Sequence, residues 1–311
     1  MSVLEEHRRS VLAEAAADLG PDSRVTAEFF DLYYRHVLTE DLVQRQPEDL
    51  RGIVLSHRAL AQQRRPGETL VRSFTPTVET HGRATGNTVV QVVSDDRPFI
   101  VDSLTEAIGR QDQEIRLLVH PRLRVAREPD GAMTGLDAEG VAESWVHLEV
   151  GRLADQQAAD RLVALLQGVL ADVAAAVADW QAMTDRVAEI ASALSQGPEL
   201  VSGQERRETA ALLEWLLDDH FLFLGYRRYT FTDAPAGGLL EQVPGSGLGL
   251  LRKEGGHARR RLHQRLSGQV RHLRARATAS GTRPARVASP SPRGEASNEA
   301  ASRSQARAMP A

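Results

Sequence analysis

Along the first sixty residues apolar side chains recur every three or four positions, the spacing of one face of a helix. Leu4, Val11, Leu12, Ala15 and Leu19 share such a face over Val3 to Leu19, and Gly20-Pro21 ends it. Phe29, Phe30, Tyr33 and Val37 mark a second helix from Thr26. Pro47 with Glu48 and Asp49 opens a third, proline in the first turn and acids at the positive end of the dipole. From Leu70 the period changes to two. Val89, Val90, Val92 and Val93 predict a central strand buried on both faces. Asp95-Asp96-Arg97-Pro98 then supplies a turn, a capping acid and a proline at the first helical position, ahead of an inward face of Ile100, Val101, Leu104, Ala107 and Ile108. Ile115 to Glu128 reads as strand, with Pro121 marking an edge or a bulge. Trp145, Val146, Leu148 and Val150 make a third strand, and Asp155 opens a long helix.

Strand, helix, strand, strand, helix is the front of a ferredoxin-like βαββαβ unit, an antiparallel sheet carrying helices on one face, so the fold class is α+β. In the long helix Leu162, Leu166, Val169, Val173, Ala176, Trp180, Met183, Val187, Ile190 and Leu194 alternate steps of four and three, a heptad seam suited to packing along a partner. Run unbroken from Asp155 to Leu194, it would span on the order of 60 Å. Two shorter helices broken near Gln181 would give the same pattern. After Gly197-Pro198, a helix from Gln204 to Asp219 leads into an aromatic strand of Phe221, Phe223, Gly225, Tyr226, Tyr229 and Phe231. Gly237-Gly238 then turns the chain into Leu239 to Val243.

Charge changes this picture at one end. The 311 residues carry a net charge of −4, but from Arg252 onward 14 Arg and Lys stand against 3 Glu, leaving the preceding body strongly acidic. That tail has no Phe, Trp or Tyr and closes in a Ser/Pro/Ala/Arg stretch, so it is expected to be disordered. Zero cysteines exclude disulfides, a thiolate nucleophile and cysteine-ligated metal, and the only lysine, Lys253, lies outside the body. No unbroken apolar run exceeds the six residues Val173 to Ala178, which predicts no membrane partner. Glu5 and Glu6 stand where a secretory signal needs cations, so the cytoplasm is the expected location.

Motifs that carry chemistry are scarce: there is no Walker loop, HExxH or GxSxG. Gly245-Ser246-Gly247-Leu248-Gly249 has the look of a dinucleotide loop, but its third glycine falls a residue early and Pro244 suits a turn. His120 and His147 lie on successive strands and could face each other, yet two imidazoles are short of a metal site. Asp218, Asp219 and His220 are accounted for by helix termination. Asp95, Asp96, Arg97, Pro98, Asp102 and Ser103 gather where a strand meets a helix amino terminus, a place that either binds an anion such as a carboxylate or simply caps the helix. Tail arginines could contact phosphates, but no aromatic stacking platform accompanies them, which argues against nucleic acid.

Several blocks taken together resemble a known family. They are Tyr33-Tyr34-Arg35-His36-Val37, Asp95 through Ser103, His120-Pro121, Glu143-Ser144-Trp145, Leu213-Glu214-Trp215-Leu216, Asp218-Asp219-His220-Phe221 and Val243 through Gly249. In order and spacing they are similar to the amino-terminal region of the large bacterial NAD-specific glutamate dehydrogenases of actinobacterial type, over about residues 28–252. That family deaminates L-glutamate oxidatively to 2-oxoglutarate with NAD as hydride acceptor and assembles as a large homo-oligomer. Its amino-terminal region carries ACT-like βαββαβ modules for amino-acid binding or assembly.

The resemblance implies a helical segment at 1–68, a first ACT-like domain at 69–180, a helical linker at 181–200, an incomplete second ACT-like unit at 201–252 and a low-complexity basic tail at 253–311. No catalytic or cofactor residue of the family has a position to map onto, so no cofactor is expected on this chain and NAD only in the full-length family. ACT modules that bind amino acids often carry glycine where this chain has Phe99. The expected function is the regulatory and assembly portion of such a dehydrogenase, a truncated or frameshifted piece inactive alone. Its partners would be a second copy or the rest of the enzyme through a seam at Leu162, Leu166, Val169, Val173, Trp180 and Val187, with an amino-acid effector at the Asp95–Ser103 turn. The competing reading is a stand-alone ACT-type amino-acid sensor or oligomerisation module with a basic interaction tail.

Overall fold

The computed structural model describes residues 3–17, 19, 25–77, 86–196, 202–232, 239–252 and 260–261. The chain divides into two units, Met1–Ala174 and Ala175–Ala311. In the first, α1 (Val3–Ala17), α2 (Ala27–Tyr34), α3 (Thr39–Val43) and α4 (Pro47–Ala61) come before the sheet. Each starts for a local reason. Thr26 Oγ1 accepts the Phe29 amide at 3.2 Å to cap α2, and Pro47 sits in the first turn of α4 with Glu48 and Asp49 beside it.

The sheet contains β1 (Leu70–Phe74), β2 (Thr88–Asp95), β3 (Ile115–Val119), β4 (Arg122–Arg127), β5 (Met133–Leu136) and β6 (Val141–Val150), with α5 (Ile100–Gly109) between β2 and β3. All pairings are antiparallel in the order β1-β2-β6-β4-β5, with β3 also on β6. A ferredoxin-like unit closes its sheet with a last strand beside the first. Here that place is taken by β1, which precedes the unit in sequence.

Pro121 sits between β3 and β4 on an edge, where the strand pairs with β6 alone, and at neither a bulge nor a change of register. Val119 pairs with His147 and Arg122 with Ser144, so the two segments are one strand in continuous register, with Pro121 opposite Trp145. The Trp145 amide donates to the Pro121 carbonyl at 3.0 Å, and the return bond is the one that a proline cannot make. The irregularities fall instead at Ile115/Leu117 and Ala126/Arg127.

Both faces of the sheet are covered. Val90, Val92, Val146, Leu148 and Val150 pack against Ile100, Leu104 and Ile108 of α5 and against Leu162, Leu166 and Leu170 of α6 (Gln156–Gln196). The opposite face, with Val93, Leu117, Val119, Leu123, Val125 and Trp145, lies under the helices α1 to α4, among them Phe29, Phe30, Tyr33, Leu50 and Ile53. The amino-terminal helices thus form a second layer on the face left open in the two-layer expectation. The expectation for the Val-rich strand holds: β2 is buried on both faces from Thr88 to Ser94.

The helix α6 is continuous for 41 residues, with no break near Gln181, and the Asp155 carboxylate accepts the Ala158 amide at 2.7 Å at its start. Leu162 and Leu166 are buried in the chain's own sheet, with Val169 and Val173 packed beside them, so this half of the seam already has its partner. Trp180 is 43% exposed and Val187 half-buried. A window of this helix has mean hydropathy 1.8, long and apolar enough to cross a membrane by length and composition. That corrects the inference from unbroken runs, because alanines between the leucines carry the apolar character without making a run. Leu162, Leu166 and Leu170 of this helix are buried against the sheet, while 22% of the window is buried in all.

In the second unit, α7 (Gly203–Trp215) starts with a capping box in which Ser202 and Glu205 bond each other's amides, and runs into a π-helical turn at Leu216–His220. The expected aromatic strand is shorter than its sequence: Phe221 and Leu222 are exposed, and strand forms only at β7 (Gly225–Tyr226) and β8 (Tyr229–Thr232). Asp219, at φ +54°, ends the helix abruptly and sends the chain off in extended form. β8 pairs with β9 (Leu239–Gln242), β9 with β11 (Arg260–Arg261), and β7 with β10 (Leu248–Gly249). The Gly237-Gly238 turn and nearly all of the basic tail lie outside the described residues.

Leu166→Ala is expected to cost about 2–5 kcal/mol in urea unfolding of the chain, independent of protein concentration, because its partner is the sheet. Trp180→Ala is expected to cost under about 1 kcal/mol in the isolated chain.

Candidate functional site

The turn between β2 and α5 brings the polar residues picked out in the sequence together, but their partners lie across the sheet. Asp95 accepts from Arg97 at 2.7 Å and from Arg64. Asp96 accepts from Arg122 Nε at 2.8 Å and from Ser144 Oγ at 2.7 Å, and its amide donates to the Ala142 carbonyl at 2.9 Å. Burial works against the Asp96 charge, yet the hydrogen bonds of Arg122 and Ser144 outweigh it and hold the carboxyl below its usual range. Neither aspartate caps the helix. Pro98 is exposed and stands before the helix, which begins at Ile100 behind Phe99 in the left-handed conformation (φ 67°, ψ 3°). Asp102 faces solvent, and the Ser103 amide donates to the Phe99 carbonyl at 3.0 Å.

Phe99 therefore occupies a backbone conformation that glycine adopts without strain. The position keeps the geometry of a glycine turn but covers it with a half-exposed ring. With both aspartates neutralised by arginines, the turn offers an arriving carboxylate no unpaired cation among the described residues, and a phenylalanine stands at its corner.

A denser polar assembly lies under the helices, on the β6 face that carries Glu143, Trp145, His147 and Glu149. Glu143 has no exposed surface. Arg64 Nη1 donates to it at 2.8 Å, Arg127 reaches both oxygens at 2.6 and 3.0 Å, and Trp145 Nε1 donates at 2.9 Å. Gly131 locks this cluster from behind: its carbonyl accepts Arg127 Nη1 at 2.8 Å and the Arg64 amide at 3.0 Å. A Cβ there would meet the Arg64 carbonyl oxygen at 2.4 Å.

Six residues along the strand, Arg45 grips Glu149 with two bonds of 2.9 and 3.1 Å, and Asn87 Nδ2 adds a third at 3.3 Å. Burial opposes the Glu149 charge, but His147 and the Arg45 fork bring its carboxyl down to about 2. Between the two carboxylates, Gln91 bridges Ser56 Oγ (2.9 Å) and His147 Nδ1 (3.1 Å), and His57 bridges Tyr33 Oη (2.7 Å) and the Val92 carbonyl (3.0 Å).

The sequence reading found His147 but paired it wrongly with His120. In the register His120 is opposite Val146, so the two imidazoles point to opposite faces, and His120 meets Ser144 Oγ at 3.2 Å instead. It passed over His57, Gln91, Glu149, Arg45, Arg64 and Arg127 altogether. A signal was present: Glu143, His147 and Glu149 alternate with Val146, Leu148 and Val150, which ordinarily marks a solvent-facing side. The arginines that bury this face come from loops and strands far along the chain.

In the second unit the glycine-rich segment is a turn. A Cβ on Gly247 would meet the Leu251 carbonyl oxygen at 2.1 Å and one on Gly249 the Leu224 carbonyl oxygen at 2.3 Å, so close backbone approach explains both glycines. Asp179 accepts the Gly249 amide at 2.7 Å and Arg252 Nε at 2.9 Å. Arg252's hydrogen bond holds the Asp179 carboxyl below its usual range. His220 stacks on Trp215 with ring centroids 4.5 Å apart, which closes the helix end as the Asp218-Asp219-His220 sequence predicts. No group of three or more His, Asp or Glu able to hold a metal ion occurs among the described residues.

Glu143→Gln is expected to lower the unfolding free energy by about 3–5 kcal/mol, since Arg64 and Arg127 stay buried without their countercharge. Comparing Phe99→Gly with Phe99→Ala isolates the backbone at the turn: the glycine variant is expected to be more stable by about 1 kcal/mol in the same urea titration.

Residues 29–166, the helices α2 to α4 and the sheet with α5 and the first turns of α6, match the family described as glutamate dehydrogenase, ACT1 domain. The NAD-specific glutamate dehydrogenase of Pseudomonas aeruginosa is 31% identical over 230 residues, 72% of this chain and 14% of that protein. Its counterpart in Halomonas elongata is 31% identical over 251 residues, 78% of this chain and 16% of that protein. That of Mycobacterium tuberculosis is 28% identical over 204 residues, 63% of this chain and 12% of that protein. The chain thus spans under a fifth of the length of these relatives. Residues 29–166 thus form a glutamate dehydrogenase ACT1 domain, and most of the chain is similar to the NAD-specific glutamate dehydrogenases.

Proposed function

We propose that this chain serves as the amino-terminal regulatory and assembly portion of an NAD-specific glutamate dehydrogenase in the cytoplasm, and that hydride transfer belongs to parts of such an enzyme not contained in it. The observation that carries the reading is the use to which its polar residues are put. Glu143, Glu149, Asp95, Asp96 and Asp179 are each bound by an arginine of the same chain, which makes them fasteners of the fold rather than groups waiting for a substrate. The glycine-rich turn, the one segment with the look of a cofactor loop, is filled by its own backbone and Asp179.

Assembly is supported by apolar side chains left at the surface of the second unit, where Leu212, Trp215, Phe221, Leu222 and Leu224 are 42–54% exposed. The partners we propose for it are a second copy or the remainder of a dehydrogenase, with neither nucleic acid nor membrane. The stand-alone amino-acid sensor gains no support from the Asp95–Ser103 turn, whose charges are spent internally.

Purified chain incubated with L-glutamate and NAD is expected to give no NADH absorbance at 340 nm (the ordinary NADH band) above a protein-free control, and turnover would overturn the reading. Calorimetric titration with a panel of amino acids is expected to give no saturable heat.

A further inference from the structure

The two faces of the sheet are buried by different chemistry. Against α5 and α6 the inward side chains of the core are aliphatic. Against α2 and α4 a polar seam runs through that core: Tyr33 to His57, His57 to the Val92 carbonyl, Ser56 to Gln91 and Gln91 to His147. A carbonyl only accepts, so His57 Nε2 carries the proton and Nδ1 accepts from the Tyr33 hydroxyl. Both nitrogens of the neutral, fully buried ring are satisfied. A second proton on Nδ1 would make the Tyr33 hydroxyl turn from donor to acceptor and place a charge where no carboxylate among the described residues touches the ring.

We propose that the Tyr33–His57–Val92 chain is an acid-released latch, by which protonation of His57 undocks α2 and α4 from the sheet while α5 and α6 stay packed on the other face.

The surroundings of His57 give the sign. It faces Tyr33 from α2, Arg72 from β1 and His147 from β6, whose own neighbour Glu149 lies 3.8 Å from His147 Nε2; β2 presents the Val92 carbonyl. The Trp145 ring lies 5.0 Å away, centroid to centroid. Burial first, then His147, then Arg72 push the imidazole well below its ordinary value, with only the Val92 carbonyl pulling the other way. The released helix takes up a proton near the ordinary histidine value of about 6.5 and the docked helix does not. The docked-to-released ratio therefore holds above about pH 6.5 and falls by up to about tenfold per pH unit below it. Glu149 keeps its charge to about 2, so its carboxylate, held by the Arg45 fork, does not titrate in this window.

Hydrogen exchange with peptide-level mass spectrometry on the full chain at pH 7 and pH 5, corrected for the intrinsic exchange rate, tests the latch. Protection in Ala27–Tyr34 and Pro47–Ala61 is expected to fall at least tenfold more than in Ile100–Gly109 and residues 156–174. In His57→Gln, which keeps a neutral side chain there, that excess is expected to vanish. An equal loss on both faces, or an excess that persists in His57→Gln, overturns the proposal. Should His57→Gln fail to fold, His147→Gln leaves the Tyr33–His57–Val92 chain in place but removes a charge facing it, and must shrink the excess; an unchanged excess is equally fatal.

Discussion

Glu143 is a carboxylate with no exposed surface in the middle of a sheet, and its charge is tolerable only because two guanidiniums and an indole N–H surround it. Each partner comes from a different place: Arg64 from the segment after α4, Arg127 from the end of β4, Trp145 from β6 itself. Meeting the carboxylate forces the loop after α4 against the β4–β5 hairpin, and Arg64 then reaches on to Asp95 at the start of the β2–α5 turn. One buried charge thus ties the amino-terminal helices, the sheet and the turn into a single arrangement. Such a centre contributes little net stability over an apolar substitute, but it discriminates strongly against any register that leaves one partner alone.

The same constraint explains why the helices before the sheet are part of the domain. A strand with Glu143, His147 and Glu149 on one side could face water cheaply, and a two-layer βαββα unit would leave it there. Here Arg45 follows α3 and His57 and Ser56 belong to α4, so the helices bring the hydrogen-bond partners that allow this face to be closed. β1 completes the layer at the edge beside β2, a place filled in an ordinary ferredoxin-like unit by the last strand. Arg72 of that strand reaches back to Gln91 at 2.6–3.0 Å and to the Ser56 carbonyl, so even the edge strand is fastened to the helical layer.

How much of this was legible depended on whether the determining interaction was local. Helix starts at Thr26, Pro47 and Asp155 were readable because the capping group and the helix are adjacent in sequence. The double burial of β2 was readable because four valines leave no face for water. Pro121 was readable as an edge residue, since β3 pairs with β6 alone, but not as one that keeps the register by using only its carbonyl. The acids of the turn were expected to cap α5, and instead chose arginines 26 and 31 positions away in the chain, a competition that no local rule weighs. The buried polar face of β6 was invisible for the same reason. Alternation states which residues share a side but not whether a helix layer will supply their partners.

The Asp95–Ser103 turn shows what such spending of charges means for function. A turn that binds a carboxylate needs donors that stay unsatisfied until the ligand arrives, and a corner small enough to admit it. In this chain Arg97, Arg122 and Arg64 are engaged with Asp95 and Asp96, and the corner is held in a glycine-like conformation by a phenylalanine. Keeping the strained backbone while adding the ring means that the geometry persists although the opening does not. What the turn now does is join β2, β4 and β6 through side chains. That is the work of a structural junction, and it moves the weight of any regulatory role from ligand capture at this corner to changes in how the layers of the domain hold together.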